Sequence, residues 1–135
     1  MLKKKLGAEA IEKNWDFYGA RVEIYFKTPS TIIIPEGCRK VGDWAFCGCE
    51  WLEKVRISKS VKSIGIAAFS CCRNLEEVII PESVERIEMI AFDGCIGKNT
   101  KIILRKPERE FEYISPDAFS NCRRNVEYAK EKTRN

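Results

Sequence analysis

A chain of 135 residues with 44% hydrophobic and 33% charged side chains has the length and balance of one folded domain, which excludes a wholly disordered polymer. Its formal net charge of +4 comes from 24 basic and 20 acidic residues, interleaved along most of the length. A nucleic-acid binder would gather its positive charge on one face or in one tract.

The densest basic runs, Lys3-Lys4-Lys5 and Arg123 to Arg134, lie at the chain ends, where solvated termini are the ordinary reading. Residues 7–14 hold no apolar stretch of the roughly 7–15 residues that a signal peptide requires, so no export signal is expected in this chain. No segment approaches the roughly 18 apolar residues of a bilayer span, and membrane insertion is not expected. Residues 1–30 are expected to form an N-terminal cap: one or two helical turns over Ala8 to Trp15, apolar cover from Trp15, Phe17 and Tyr18, an alternating strand over Arg21 to Phe26, and a turn at Lys27 to Ser30.

From residue 31 the chain repeats itself. Phe46, Phe69 and Phe92 are spaced 23 apart, each preceded by alanine, and Val41, Ile64 and Ile87 keep the same interval. So do Cys38, Val61 and Val84, then Ile34, Ile57 and Ile80, then Cys49, Cys72 and Cys95. A further copy follows as Phe111, Ile114, Ala118, Phe119 and Cys122, displaced by 27 instead of 23. About four residues are therefore inserted, and the polar run from Gly97 to Glu110, with Pro107, suits a loop.

Each repeat contains two short apolar patterns. The first, Leu-x-x-Val-x-Ile, occurs at Leu52, Val55, Ile57 and at Leu75, Val78, Ile80; it resembles the strand motif of leucine-rich repeats, with a period inside the range of about 20–29 residues for that class. The second, Val61, Ile64, Ala68 and Phe69, reads as another short strand and a tight turn with Phe inward and Ala leaving it room. Neither is long enough for an independent helix. Stacked coils bury these positions where a single coil cannot, each presenting the same residue to its neighbour at about 4.8 Å.

The segment Ile80-Pro81-Glu82-Ser83-Val84-Glu85-Arg86-Ile87, continuing through Ala91-Phe92 to Gly94-Cys95, resembles the BspA-like (Treponema pallidum type) leucine-rich repeats, and Ala-Phe-x-x-Cys recurs in all four copies. The expected fold is a leucine-rich-repeat solenoid of short β-strands and tight turns. It has about four 23-residue repeats over 31–123, a cap over 1–30, and a C-terminal cap and tail over 124–135, where Val126, Tyr128 and Ala129 are read as a short helix and the end beyond Lys130 as frayed. The resemblance implies a surface or secreted protein acting in adhesion to host or matrix proteins, usually with many more repeats. The missing export signal is equally compatible with a small cytoplasmic scaffold.

The seven cysteines raise the question of chemistry. Cys47-x-Cys49 stands one repeat from Cys71-Cys72, so these four sulfurs form the candidate for a metal- or redox-active cluster. Against it, Cys49, Cys72, Cys95 and Cys122 continue one inward column where a small buried side chain is wanted, and Cys38 belongs to the Val61/Val84 column. Zinc ligands usually come in pairs two to four apart, and there is no histidine to help. Cys47 and Cys71 lie outside the inward columns and are the thiols expected to react. Without histidine the commonest general base is missing, and neither a Ser-His nor a Cys-His pair can form. There is no phosphate-binding glycine loop either. The chain is expected to be no enzyme and to need no cofactor.

Binding then falls to the outward positions of the Leu-x-x-Val-x-Ile strands: Glu53, Lys54, Arg56; Glu76, Glu77, Ile79; Thr100, Lys101, Ile103. The column Ile33, Arg56, Ile79, Ile103 is more apolar than a solvated face requires, and the flanking column Lys54, Glu77, Lys101 alternates in sign. These seven residues are the candidate site for a protein partner on the concave strand face. The isoleucines also admit two plainer readings, strand formers or the seat of a neighbouring copy in a homo-oligomer. The charge alternation admits a role in register between coils. Four or five strands presenting about 20 Å each make a face of about 500 Å², short of the roughly 800 Å² per side of a stable interface.

Overall fold

The computed structural model describes residues 23–25, 31–34 and 36–130. The expected helical turns at Ala8 to Trp15, the aromatics Trp15, Phe17 and Tyr18, and the tail beyond Lys130 lie outside the described residues. Ten short strands are placed: β1 Glu23–Tyr25, β2 Thr31–Ile34, β3 Lys40–Val41, β4 Lys54–Ile57, β5 Ser63–Ile64, β6 Glu77–Ile80, β7 Arg86–Ile87, β8 Lys101–Leu104, β9 Tyr113–Ile114 and β10 Val126–Tyr128. Single 3-10 turns occupy Glu108–Glu110 and Arg123–Asn125. The strands form a six-stranded sheet in the order β1-β2-β4-β6-β8-β10 and a four-stranded sheet in the order β3-β5-β7-β9. All neighbours run parallel except β1 and β2, which pair antiparallel. The result is a β-solenoid whose coils repeat at the interval read from the sequence.

The core is built from the repeated columns. Ile32, Val55, Val78 and Ile102 are buried in register, as are Ile34, Ile57, Ile80 and Leu104. On the other sheet Val41, Ile64 and Ile87 are fully enclosed, while Ile114 is half-buried. Between the sheets the four phenylalanines stack face to face, Phe46 on Phe69 at 5.4 Å, Phe69 on Phe92 at 5.2 Å and Phe92 on Phe119 at 5.6 Å. These separations lie within the favourable range for offset aromatic pairs. The alanine before each ring is buried as well.

The tight turns carrying the rings are held between coils by the backbone. Phe46 N–H donates to the Ala68 carbonyl, Phe69 N–H to Ala91 and Phe92 N–H to Ala118, at 2.7–2.8 Å. Two residues on, the chain enters the left-handed region at Gly48, Cys71, Gly94 and Asn121, with φ of 73°, 59°, 75° and 66°. Glycine and asparagine are the residues that tolerate this conformation, so three of the four coils carry a suitable residue at this position.

Three expectations are corrected. The segment Val126–Tyr128 is a strand, not a helix: it pairs parallel with β8, Val126 against Ile102 and Tyr128 against Leu104. An open sheet edge offers a row of backbone partners, whereas a segment this short cannot nucleate a helix. The run from Gly97 to Glu110 is not simply a loop, because β8 lies inside it. The insertion is split, one extra residue entering before β8 (Glu77 pairs with Lys101) and three more after it (Arg86 pairs with Tyr113). Thr100, read as outward, is 2% exposed, and its hydroxyl donates to the Leu75 carbonyl.

Candidate functional site

Because the strands of the larger sheet are in register and alternate inward and outward, whole columns of side chains line up across its outer face. Ile33 pairs with Arg56, Arg56 with Ile79, and Ile79 with Ile103. Beside them Lys54 pairs with Glu77 and Glu77 with Lys101. All seven candidate residues therefore lie on one surface. Arg56 and Lys101 are exposed, and Ile33, Lys54, Glu77, Ile79 and Ile103 are partly exposed. The apolar column continues in register to Glu127 of β10, which is exposed. Reading residues 124–135 as a cap with a helix hid Glu127; the alternation Val-Glu-Tyr was the signal for it.

Among the described residues the alternating column forms no ion pairs. Among the described residues the only ion pairs are those of Arg86 with Glu88 at 3.1 Å and with Glu112 at 3.2 Å, both on the side of the smaller sheet. Lys54, Glu77 and Lys101 are thus neighbours without being bridged, and strand register rests on the backbone ladder and the buried columns. The face is also not flat. Lys54, Arg56, Glu77 and Ile79 line a shallow depression between β4 and β6, and Ile79 also lines a second hollow at the strand ends with Lys59, Pro81, Glu82 and Arg105. At the strand starts, Glu50, Glu53 and Glu76 surround a third, with Trp51 and Asn74.

Two further exposed apolar side chains stand on the turns. Trp44 is 50% and Met89 49% exposed, in the turns before Ala45-Phe46 and Ala91-Phe92, two coils apart. Sequence reasoning read these turns only for their buried Phe and Ala and passed over Trp44 and Met89, because they follow no column.

The cysteines are placed by the same columns. Cys72, Cys95 and Cys122 are fully buried, and each thiol donates to the carbonyl of the phenylalanine one coil back: Cys72 to Phe46 at 3.2 Å, Cys95 to Phe69 at 3.0 Å and Cys122 to Phe92 at 3.2 Å. The column is therefore a ladder of weak S–H donors joining coils, a role that its small size alone did not reveal. Cys49, the first member, is half-buried; Cys47 is exposed and Cys71 intermediate. Burial pushes Cys38 and Cys49 up to about 11 and Cys122 up to about 12. Cys72 is raised by its contact with Cys95 and by burial. Cys47 is raised too, by burial first and then by the neighbouring Cys71. A thiol activated as a nucleophile needs the opposite shift. Among the described residues no group of three or more Cys, Asp or Glu side chains is arranged to hold a metal ion.

Set beside known proteins, this geometry has a family. The family model for the BspA type leucine rich repeat region matches residues 25–132, in six copies. The chain belongs to the BspA-type leucine-rich repeat family. Among solved structures, a leucine rich cell surface protein from Faecalibacterium prausnitzii is similar at 24% identity with a TM-score of 0.48. The match covers 82% of this BspA-type chain and 38% of that one, so the chain spans well under half the length of the similar structure. No curated protein shows significant similarity. No helix among the described residues is long and apolar enough to cross a membrane.

Proposed function

We propose that this BspA-type chain is a non-catalytic protein-binding module of the adhesion type, which receives its partner on the outer face of the six-stranded sheet. The observation that carries the proposal is the in-register run Ile33, Arg56, Ile79, Ile103 beside Lys54, Glu77, Lys101. The flanking charges are spent on no ion pair among the described residues. Surface isoleucines framed by unbridged charges form a small anchor that a partner can desolvate, with a polar rim around it. The parallel backbone ladder fixes their spacing before any partner arrives, which lowers the ordering cost of binding. BspA-type membership supports an interaction role, and the lack of histidine removes the usual general base.

The test is capture of partners by the purified chain, with the Ile79→Glu, Ile103→Glu double variant and a Trp44→Ser, Met89→Ser double variant as comparisons, after circular dichroism shows all three folded. A partner retained by the wild type and the turn variant, and weakened at least about tenfold by the sheet variant, supports the sheet face. Loss on the turn variant alone moves binding to the turns that carry Trp44 and Met89. A partner held equally by all three removes both surfaces.

A further inference from the structure

The charges on the sheet face are not balanced, and the imbalance has a place. Lys54, Arg56, Lys59 and Arg105 line the two adjoining hollows that share Ile79, with Glu77 and Glu82 as their carboxylates. Lys101 stands next to Glu77 in register. The hollows thus hold four cations against two carboxylates, and none of the six enters an ion pair among the described residues; further along the face Lys101 and Glu127 offset one another. This local excess of two compares with a net charge of +4 for the entire chain. It sits around an apolar floor of Ile79 and Pro81, from the middle of the strands to their ends. The strand starts carry the opposite sign, at Glu50, Glu53 and Glu76.

We infer that the occupant of this groove is an extended acidic segment of a protein partner, its carboxylates set against Arg56, Lys59 and Arg105 and an apolar side chain seated on Ile79. The inference rests on the proposed use of this face and names the chemistry of what binds there. Two features of the site select that occupant. Among the described residues the cations are paired with no carboxylate, so a partner's carboxylates displace only water and salt ions. The two hollows share Ile57 and Ile79 in their walls, and their succession along the strands suits a narrow chain with side chains on alternate sides more than a bulky surface. The acidic patch at the strand starts repels the same segment if it is laid in the wrong place along the strands, which contributes to register.

The experiment is fluorescence anisotropy on the full chain with three labelled probes: a peptide alternating Asp and Leu, its Lys and Leu counterpart, and a single-stranded oligonucleotide of similar length. The expected result is binding of the Asp-Leu peptide, weakened at least about tenfold by Arg56→Glu with Arg105→Glu, and weakened again as salt is raised from about 0.05 to about 0.5 M. Lys98→Glu, on the turn before β8 and outside both hollows, is expected to leave it unchanged. Preference for the Lys-Leu peptide, equal binding by the Arg56/Arg105 variant, or no binding of the acidic peptide overturns the inference. Tighter binding of the oligonucleotide overturns it in favour of a polyanion site. If the acidic peptide fails while the Ile79→Glu, Ile103→Glu variant still loses a captured partner, the face is right and its assigned chemistry wrong; if both fail, the face itself is wrong.

Discussion

Ser60 and Ser83 stand in the same place in successive coils, yet their hydroxyls meet different surroundings. Ser60 Oγ donates to the Cys38 carbonyl at 2.7 Å and accepts the Gly37 N–H at 3.1 Å, with Ser58 Oγ a further 2.8 Å neighbour. Ser83 Oγ is buried and finds no hydrogen-bond partner among the described residues. A buried hydroxyl left unpaired forfeits about 1–3 kcal/mol, whereas a made hydrogen bond contributes about 1 kcal/mol net. Ser83→Ala is accordingly expected to be neutral or to stabilise by up to about 1 kcal/mol, and Ser60→Ala to destabilise by about 1 kcal/mol, as read from urea denaturation of both variants. The thiols supply a second residue-scale expectation. Cys38, Cys49 and Cys122 have folded values of about 11 to 12 against an ordinary value of 9.0. Above about pH 9 the unfolded chain loses these protons while the folded chain keeps them, so the unfolded state is favoured and stability falls as pH rises through this window. Below it the thiols are neutral in both states and contribute no slope. Urea midpoints that decline between about pH 9 and about pH 11, and decline less steeply in Cys38→Ala, would agree; a flat profile would not.

At the scale of the element, β10 shows what three residues achieve when an edge awaits them. Val126 and Tyr128 lie half-buried against the core, and the Tyr128 ring meets Phe111 edge-on at 6.4 Å. Past the strand, Ala129 N–H donates to the Leu104 carbonyl at 2.9 Å. These contacts close the C-terminal side of the larger sheet and present Glu127 on its outer face. Tyr128→Ala removes most of that apolar cover and is expected to lower stability by about 2 kcal/mol. Faster amide hydrogen exchange should be confined first to β8 and β10, since an end coil opens before the middle of a stack. Exchange accelerated evenly through β4 and β6 would show that β10 is not a separate closing element.

The whole molecule is a stack in which each coil touches only its neighbours, so stability is close to a sum over coils and the contacts between them. That makes the coil a removable unit. Deleting the 23 residues from Val61 to Ser83 joins Ser60 to Val84 and brings the Phe46 column member against Phe92, with every inward column preserved. The shortened chain is expected to fold with the same strand-rich circular dichroism and a lower melting temperature. Deleting 21 residues instead, from Val61 to Pro81, breaks the period and is expected to abolish cooperative unfolding. If the two deletions behave alike, the columns do not carry the fold.

The sequence by itself determined the repeat, its period and its inward face. Six columns sharing one interval can be satisfied only by stacking, because a single coil has no way to bury Phe69, Ile64 or Val78. The seven candidate residues were likewise legible as outward positions, since a strand alternates and its buried half names the exposed half. What only the tertiary structure decided depends on neighbours that no local pattern announces. Val126–Tyr128 became a strand because β8 offered an open edge, and Thr100 turned inward because the insertion was divided around β8. The thiol ladder from Cys72 to Cys122 needed the position of carbonyls one coil away. The cationic excess around Ile79 gathers Lys59 and Arg105, more than forty residues apart in the chain, on one hollow. Periodicity specifies which way a side chain faces, and folding alone specifies what it faces.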